Sequence, residues 1–405
     1  MNPENTKKIY VVSEFVDQKT NSTGYFWFKI IHSLSHKLTN VHVLSIRESC
    51  KLAKKDNDAV NYIDTGNPSW SIGKGFIAKL ISNIFLSIQF AVKTIQVVKK
   101  NDIVFSGTNP SMLVLLIALI KPISGFKWVL LVNDIFPENL VPARLVSENS
   151  FVYKITRKIF DSAYCRADKI IVIGRDMKHV VTKKTSGKVP IKYIPNWIDL
   201  QDIYPSQSKD LYQNHDEVSE RKVVFQFFGN MSIVQGLDII LDAISEIGCS
   251  NVKFKFIGGG SGVSLVEQYI KDNPQIDVEL LPPVPFNKNI TVLSECDVAL
   301  VSLAHGMNGL AVPSKAYFSL AADKPILVIG EPDSELDLLI KDNPKIGWFC
   351  DSRYRSLIAK KIDEIAKLNF LELQGLPRSV IENQYSYQAA SDKYVSLIKD
   401  VLNEE

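Results

Sequence analysis

Short apolar segments alternate with segments of helical periodicity along nearly the whole chain. Several of them, such as "DIVFSG", "KIIVIG" and "PILVIG", are continuous hydrophobic runs, which are typical of strands covered on both faces. Strands of this kind alternating with helices predict an α/β fold with parallel sheets. The predicted strands have similar lengths and spacing in the two halves of the chain, so we expect two Rossmann-like domains.

A polar stretch without an apolar period, "DLQDIYPSQSKDLYQNHDEVSERK", separates the two halves. We therefore place an N-terminal domain at residues 1–200 and a C-terminal domain at residues 201–384. The length of 405 residues agrees with two domains. The last segment, residues 385–405, has the pattern of an amphipathic helix, and we expect it to pack back on the N-terminal domain.

Composition excludes several classes of function. A formal net charge of +3 is too small for a nucleic-acid-binding protein. The five cysteines are far apart and show no CxxC spacing, so neither a zinc site nor a disulfide framework is indicated. These features and an N-terminus without signal-peptide character favour a reducing, cytoplasmic location.

One apolar segment raises the question of a membrane. "GKGFIAKLISNIFLSIQFAVKTIQVVKK" has apolar residues at helical spacing and lysines near its ends. The pattern predicts either a core helix with solvated ends or a helix that lies on an anionic bilayer. The residues leave both interpretations open.

Loops that follow strands are the places to look for chemistry, because ligands of doubly wound sheets bind there. "FFGNMSIVQG" contains Gly229, and "FIGGGSG" contains Gly258 and Gly259; such turns let the backbone approach a phosphate. Neither segment matches GxGxxG and the chain has no GK[ST] P-loop, which disfavours a standard NAD or ATP site.

Two further loops carry polar groups. Asn133 and Asp134 follow a buried strand, either as functional groups or as turn residues. The loop "LAHGMNGLAVPSK" carries His305 and leads to Ser314 and Lys315, at the start of a helix with almost no other charge. A helix start and a lysine together favour an anion, whereas the alternative is a capped helix with an incidental lysine.

The order of "NDIFPE", "IPNWID", "FFGNMSIVQG" and "VPSKAYFSLAADKP" resembles that of the retaining glycosyltransferases of family 4. The similarity extends over nearly the whole chain and is greatest to the WbuB-like subgroup of bacterial O-antigen, capsule and colanic acid enzymes. The resemblance implies a GT-B fold, in which two Rossmann-like domains with parallel sheets face each other across a cleft. It also implies a nucleotide-sugar donor, with UDP expected, held mainly by the C-terminal domain.

The resemblance assigns roles to individual residues. Lys315 becomes the main cation beside the donor diphosphate, because Gln235 and Asn230 stand where many relatives have lysine and arginine. Asn133 and Asp134 match the acceptor-facing loop, and the predicted catalytic residues are Lys315, Asp134 and Asn133. The predicted donor-binding residues are Gly24, Gly229, Asn230, Gln235, Gly258, Gly259, His305, Ser314, Lys315 and Glu335.

The chain departs from the family at one point. Many relatives have two glutamates separated by seven residues, whereas Leu310 and Phe318 stand near the matching positions here. Glu335 is a hypothetical substitute for contact with the nucleotide. Catalysis would be electrostatic, and no metal or other cofactor is expected.

The expected activity is transfer of a hexosyl or N-acetylhexosaminyl group to a polyprenyl-diphosphate-linked glycan of a bacterial surface polysaccharide. The enzyme would lie at the inner face of the cell membrane, without a nucleic-acid partner. Two alternatives stay open at this point. One is a sugar-nucleotide epimerase of GT-B fold, and the other is a non-catalytic scaffold of a polysaccharide-assembly complex.

Overall fold

The structure is a computed structural model that describes residues 7–66, 76–203, 221–285 and 289–404. The chain divides into two compact units. Unit 1 comprises Met1–Glu138, Val146–Ile194 and Ala389–Glu405, and unit 2 comprises Asn139–Leu145 and Pro195–Gln388. Apart from the short segment Asn139–Leu145, the chain changes units after residues 194 and 388, whereas the sequence-based boundaries followed residues 200 and 384. Residues 204–220 of the proposed linker lie outside the described residues.

Unit 1 is built on a sheet of seven parallel strands, in the order β3-β2-β1-β4-β5-β6-β7. The strands are β1 (Ile9–Val12), β2 (Val41–Ser45), β3 (Asn61–Asp64), β4 (Ile103–Gly107), β5 (Lys127–Val132), β6 (Lys169–Val172) and β7 (Ile191–Tyr193). The helices are α1 (Ser22–Lys37), α2 (Arg47–Asp56), α3 (Phe76–Val97), α4 (Leu113–Ser124), α5 (Phe151–Tyr164) and α6 (Arg175–Lys184).

Unit 2 contains a second parallel sheet, of six strands in the order β10-β9-β8-β11-β12-β13. The strands are β8 (Val223–Asn230), β9 (Val252–Gly259), β10 (Val278–Leu281), β11 (Val298–Ser302), β12 (Ile326–Gly330) and β13 (Gly347–Asp351). The helices that follow are α7 (Leu237–Ile244), α8 (Val263–Asp272), α9 (Asn289–Ser294), α10 (Lys315–Ala321), α11 (Glu335–Asp342), α12 (Arg355–Ile365), α13 (Leu376–Gln384) and α14 (Tyr387–Asn403). From Ala389 onward, α14 belongs to unit 1.

The α/β prediction is confirmed, and both sheets have the strand order of a Rossmann fold. In each sheet the first strand lies between the second and the fourth, so the strand order reverses beside it. A crevice at the carboxyl ends of the strands is expected at that point. Strand β3 is half exposed at the edge of the sheet and has no continuous apolar run, so the search for apolar runs in the sequence does not find it.

Strands β8 and β9 approach each other closely where they end. Aromatic side chains stack across the pair, with ring centroids 5.5 Å apart for Phe225 and Phe254 and 6.1 Å apart for Phe227 and Phe256. At the end of the pair, a Cβ atom on Gly258 would lie 1.9 Å from the carbonyl oxygen of its neighbour across the ladder, and Gly258 has a φ of 149°. Only glycine satisfies both conditions.

We expect Gly258→Ala to lower the free energy of unfolding by about 2 kcal/mol or more, because the methyl group forces the two strand ends apart. Gly330→Ala is the matched control, since Gly330 also ends a strand of this sheet but has open space around the added Cβ. Urea unfolding of both variants measures the difference. Equal stabilities for the two variants would contradict this account of the strand pair.

Candidate active site

Strand β8 ends in a turn at Gly229, where the backbone is accessible because few of the described side chains lie beside it. Gly229 has a φ of 114°, a conformation that favours glycine. Among the described residues, a Cβ atom on Gly229 would meet only the Lys315 side chain, whose Cε lies 4.0 Å away. Phe227 projects from the same face of the strand, since successive side chains alternate. The turn, the aromatic ring and the lysine therefore lie together.

The Lys315 ammonium has two neutral partners. Its Nζ donates a hydrogen bond of 2.9 Å to Oε1 of Gln235 and lies 3.6 Å from the centroid of the Phe227 ring. Within the part of the chain that the structure describes, no carboxylate lies within ion-pair distance of this Nζ. The positive charge is therefore not neutralised by the described protein groups.

Burial lowers the pKa of Lys315 to about 7. The π face of Phe227 favours the ammonium form, but an aromatic ring compensates only part of the lost hydration. A bound anion would add a full opposite charge and restore the ordinary preference of lysine for the charged form. The environment of Lys315 is therefore suited to receiving an anionic group.

Helix α10 contributes less to this site than its lysine does. It has seven residues, and all of them after Lys315 are buried, which explains why the helix carries almost no other charge. The Ser314 side chain makes no capping hydrogen bond, and the N–H groups of Ala316 and Tyr317 already donate to Pro313 and Ser314. The backbone N–H groups expected to bind an anion at the helix start are thus largely used in hydrogen bonds within the chain.

The loop that carries Gln235 is tied to the neighbouring strand. The N–H of Ala304 donates to the carbonyl of Val234 at 2.9 Å, and the Ser302 hydroxyl donates to the carbonyl of Gln235. Gly236, with a φ of 62°, follows directly and lies against Ala304. These backbone contacts hold the Gln235 amide in place beside the lysine.

Three of the predicted donor-binding residues lie at the same strand ends. Gly258 allows the close contact of β8 and β9 described above, and a Cβ atom on Gly259 would lie 3.1 Å from Pro283. Asn230 is exposed, and its Oδ1 would lie 2.7 Å from a Cβ on Gly260. Packing therefore gives a reason for both glycines, and their donor-binding role stays a prediction.

Among the described residues, neither His305 nor Glu335 forms a hydrogen bond or ion pair with the Lys315 ammonium. His305 is exposed, and its Nδ1 is 3.0 Å from the carboxylate of Glu331, which also accepts from the N–H groups of Gly306 and Asn308. This carboxylate shapes the loop before the Pro-Ser-Lys turn. Glu335 is 1% exposed in the first turn of α11, where a carboxylate suits the helix dipole.

A second group of polar side chains lies at the carboxyl ends of β1, β4 and β5 in unit 1. Oδ1 of Asp134 accepts a 2.7 Å hydrogen bond from the Thr108 hydroxyl, and burial raises the pKa of Asp134. The N–H of Asn133 is 3.4 Å from the same hydroxyl. Nearby in the fold, Asn109 donates to Glu14 at 3.1 Å, at the point where the strand order reverses.

Gly24 has a structural reason within unit 1. Its N–H donates to the side chain of Asn21, which caps α1. A Cβ atom on Gly24 would lie 2.3 Å from the carbonyl oxygen of Asp17, so a larger residue would displace the preceding loop. The close approach of α1 to this loop therefore requires glycine.

Sequence reasoning missed Phe227 and Glu14. Phe227 stands two residues before the glycine turn, so the alternation of a strand places it on the same face as Gly229. Glu14 follows the first strand by two residues, and burial raises its pKa. Its position at a strand end was the available signal.

No family model matches the chain, whereas individual relatives do. It is 36% identical over 401 residues to WbjE of Pseudomonas aeruginosa, named a probable glycosyltransferase, covering 98% of this chain and 99% of that protein. It is 21% identical over 232 residues to WcaI of Escherichia coli K12, a candidate glycosyl transferase of colanic acid biosynthesis, covering 56% of this chain and 57% of WcaI.

Solved structures share the fold at low sequence identity. Sucrose-phosphate synthase of Thermosynechococcus elongatus has a TM-score of 0.76 at 12% identity, covering 98% of this chain and 99% of that chain. HepE of Anabaena, solved with UDP and glucose, has a TM-score of 0.68 at 12% identity, with coverages of 97% and 99%. WaaG, a glycosyltransferase involved in lipopolysaccharide biosynthesis, has a TM-score of 0.68 at 12% identity, with coverages of 96% and 99%.

Of the three function classes left open by the sequence, transfer of a glycosyl group is the one that these relatives support. The extent and identity of the match to WbjE show the family, and the solved structures show the fold, which comprises two parallel-sheet domains. The chain therefore belongs to the glycosyltransferases and has the GT-B fold.

Proposed function

We propose that the protein is a retaining family 4 glycosyltransferase of the WbuB-like subgroup. It transfers a sugar from a UDP-sugar to a polyprenyl-diphosphate-linked glycan during bacterial surface-polysaccharide synthesis. The names of two relatives, which refer to colanic acid and lipopolysaccharide biosynthesis, support the polysaccharide assignment. The UDP complex of a protein with the same fold supports the donor.

The observation that carries this proposal is the charge of Lys315. A desolvated ammonium without a carboxylate partner among the described residues, beside the open backbone of Gly229, suits a diphosphate. Negative charge grows on the diphosphate as the bond from the sugar to the phosphate breaks. A fixed cation stabilises this transition state more than the ground state, because it is already in place.

The acceptor is assigned to unit 1 in the same proposal. Asp134 and Asn133 would contact the acceptor hydroxyl, and the raised pKa of Asp134 suits a group that exchanges a proton. Within the described ranges, no three His, Cys, Asp or Glu side chains gather as metal ligands would. We propose that the reaction needs no metal, with Lys315 supplying the positive charge.

The location is part of the proposal as well. The acceptor is anchored in a membrane, so we place the enzyme in the cytoplasm, peripheral to the inner face of the cell membrane. Among the described helices, Leu80–Val97 of α3 has the length and apolar composition to cross a membrane, and 28% of its residues are buried. Most of this segment is thus at least partly exposed at the surface of unit 1.

UDP at about 100 times its Kd should stabilise the wild-type protein by roughly 2.7 kcal/mol, and Lys315→Met should lose most of that gain. Thermal unfolding with UDP, GDP, CMP and dTDP measures the effect and identifies the preferred nucleotide. Lys271→Met, at an exposed lysine of α8, is the control and should respond as the wild type does. A full response of Lys315→Met to UDP would refute the assigned donor site.

The stability of the ligand-free protein should depend on pH through Lys315. In the unfolded chain the pKa of a lysine is ~10.4, whereas the pKa of Lys315 in the folded protein is about 7. Between these values only the unfolded state binds the proton, so stability rises with pH by at most about 1.4 kcal/mol per pH unit. Below the folded pKa this dependence ends. Urea unfolding across the window should show the rise in wild type relative to Lys315→Met, and parallel curves would contradict it.

Affinity for UDP should fall over the same window. Only the ammonium form attracts the diphosphate, so the Kd should rise by up to about tenfold per pH unit above the folded pKa. Lys315→Arg stays charged over this range of pH. It should bind UDP more weakly at neutral pH, but its Kd should not show this rise with pH. Calorimetric titration of both proteins separates the two cases, and an identical pH dependence would show that another group is responsible.

A further inference from the structure

The exposed large hydrophobic side chains of unit 1 are confined to one region. Among the described residues of this unit, all of them lie on α3, α4 and α5. Helix α4 contacts both α3 and α5, so the three helices adjoin. The most exposed of these side chains are Leu119 (60%), Ile123 (87%), Phe151 (77%) and Val152 (69%). We call the exposed apolar side of these helices the three-helix face.

The core of unit 1 does not account for this face. On α5, Tyr153 and Phe160 are buried, while Phe151, Ile155 and Ile159 form an exposed stripe on the other side of the helix. Helix α3 is divided in the same way, with Phe90 buried and an exposed row of aliphatic residues opposite. Because the core of the unit buries one side of each helix, only the opposite, exposed side is available to a membrane.

The exposed charges beside the three-helix face are mostly positive, with Glu148 just before α5 as an exposed acidic exception. Lys154 and Lys158 are exposed one turn apart beside the apolar stripe of α5, and Lys99 and Lys100 are exposed just after α3. The acidic residue within the three helices, Asp161, forms an ion pair with buried Lys184 at 2.6 Å. An apolar face bordered by cations complements a surface with apolar depth and anionic head groups.

We infer that the three-helix face binds an anionic phospholipid bilayer, with its apolar side chains at the acyl boundary and its lysines on the head groups. The inference rests on the proposed function, because it identifies the surface through which the enzyme would reach a lipid-linked acceptor. It also answers the question left open for α3. One side of that helix belongs to the core, and the other side, continued by α4 and α5, meets the membrane.

Vesicle flotation of the full chain tests this inference. The wild type should bind vesicles of equal parts phosphatidylcholine and phosphatidylglycerol, and should bind pure phosphatidylcholine much more weakly. Phe151→Ser with Val152→Ser should reduce binding to the anionic vesicles by about tenfold. Lys154→Gln with Lys158→Gln should reduce it by a similar factor and remove most of the preference for anionic lipid.

Leu357→Ser is the matched control, because Leu357 is 56% exposed on α12 of unit 2 and should leave vesicle binding unchanged. A wild type that does not bind anionic vesicles, or a Phe151/Val152 variant that binds as the wild type does, would overturn the inference. A dimer that dissociates when Phe151 and Val152 are replaced, without vesicle binding, would assign the face to a second copy of the chain instead.

Stabilisation by UDP, measured without vesicles, separates this inference from the proposed function. All variants should keep the UDP response of the wild type, which also shows that they are folded. Loss of vesicle binding with an intact UDP response then concerns the three-helix face alone. A wild type that binds vesicles but does not respond to UDP would count against the donor site and leave the membrane surface supported.

Discussion

Parallel strand pairing is the constraint on which the rest of the structure depends. A parallel sheet needs a crossover after every strand, and the crossover helices bury both faces of the sheet. The central strands β11 and β12 are accordingly buried along their whole length. Polar chemistry can then be placed only at the strand ends, which is where Lys315, Gly229 and Asp134 are found.

Lys315 shows how such an edge acquires reactivity. Its ammonium is held by an aromatic ring and an amide oxygen, which position the charge without neutralising it. A carboxylate in place of the Gln235 amide would stabilise the ligand-free protein but would compete with an incoming anion. The fold therefore tolerates a locally unfavourable charge, and the extensive apolar core of unit 2 offsets that cost.

The sequence was most informative where local pattern determines structure. Continuous apolar runs identified the buried strands, but β3 was missed because an edge strand needs no such run. The order of the motifs predicted that Lys315 and Gln235 lie in one site. The packing role of Gly258, in contrast, depends on a neighbouring strand that no local pattern reveals. The exposed stripe of α5 likewise could not be predicted from hydrophobic periodicity, since an amphipathic pattern does not say which apolar side chains the core will cover.

The interrupted course of unit 1 along the chain has a consequence for the order of folding. Asp392 of α14 forms an ion pair of 2.6 Å with Lys37 of α1, and Glu404, just after α14, forms one of 2.8 Å with Lys169 of β6. Asp392 and Glu404 both follow Gln388, the last residue of unit 2. During synthesis, the second unit therefore has its complete sequence while the first still waits for its closing helix, reversing the usual N-to-C order in which domains mature.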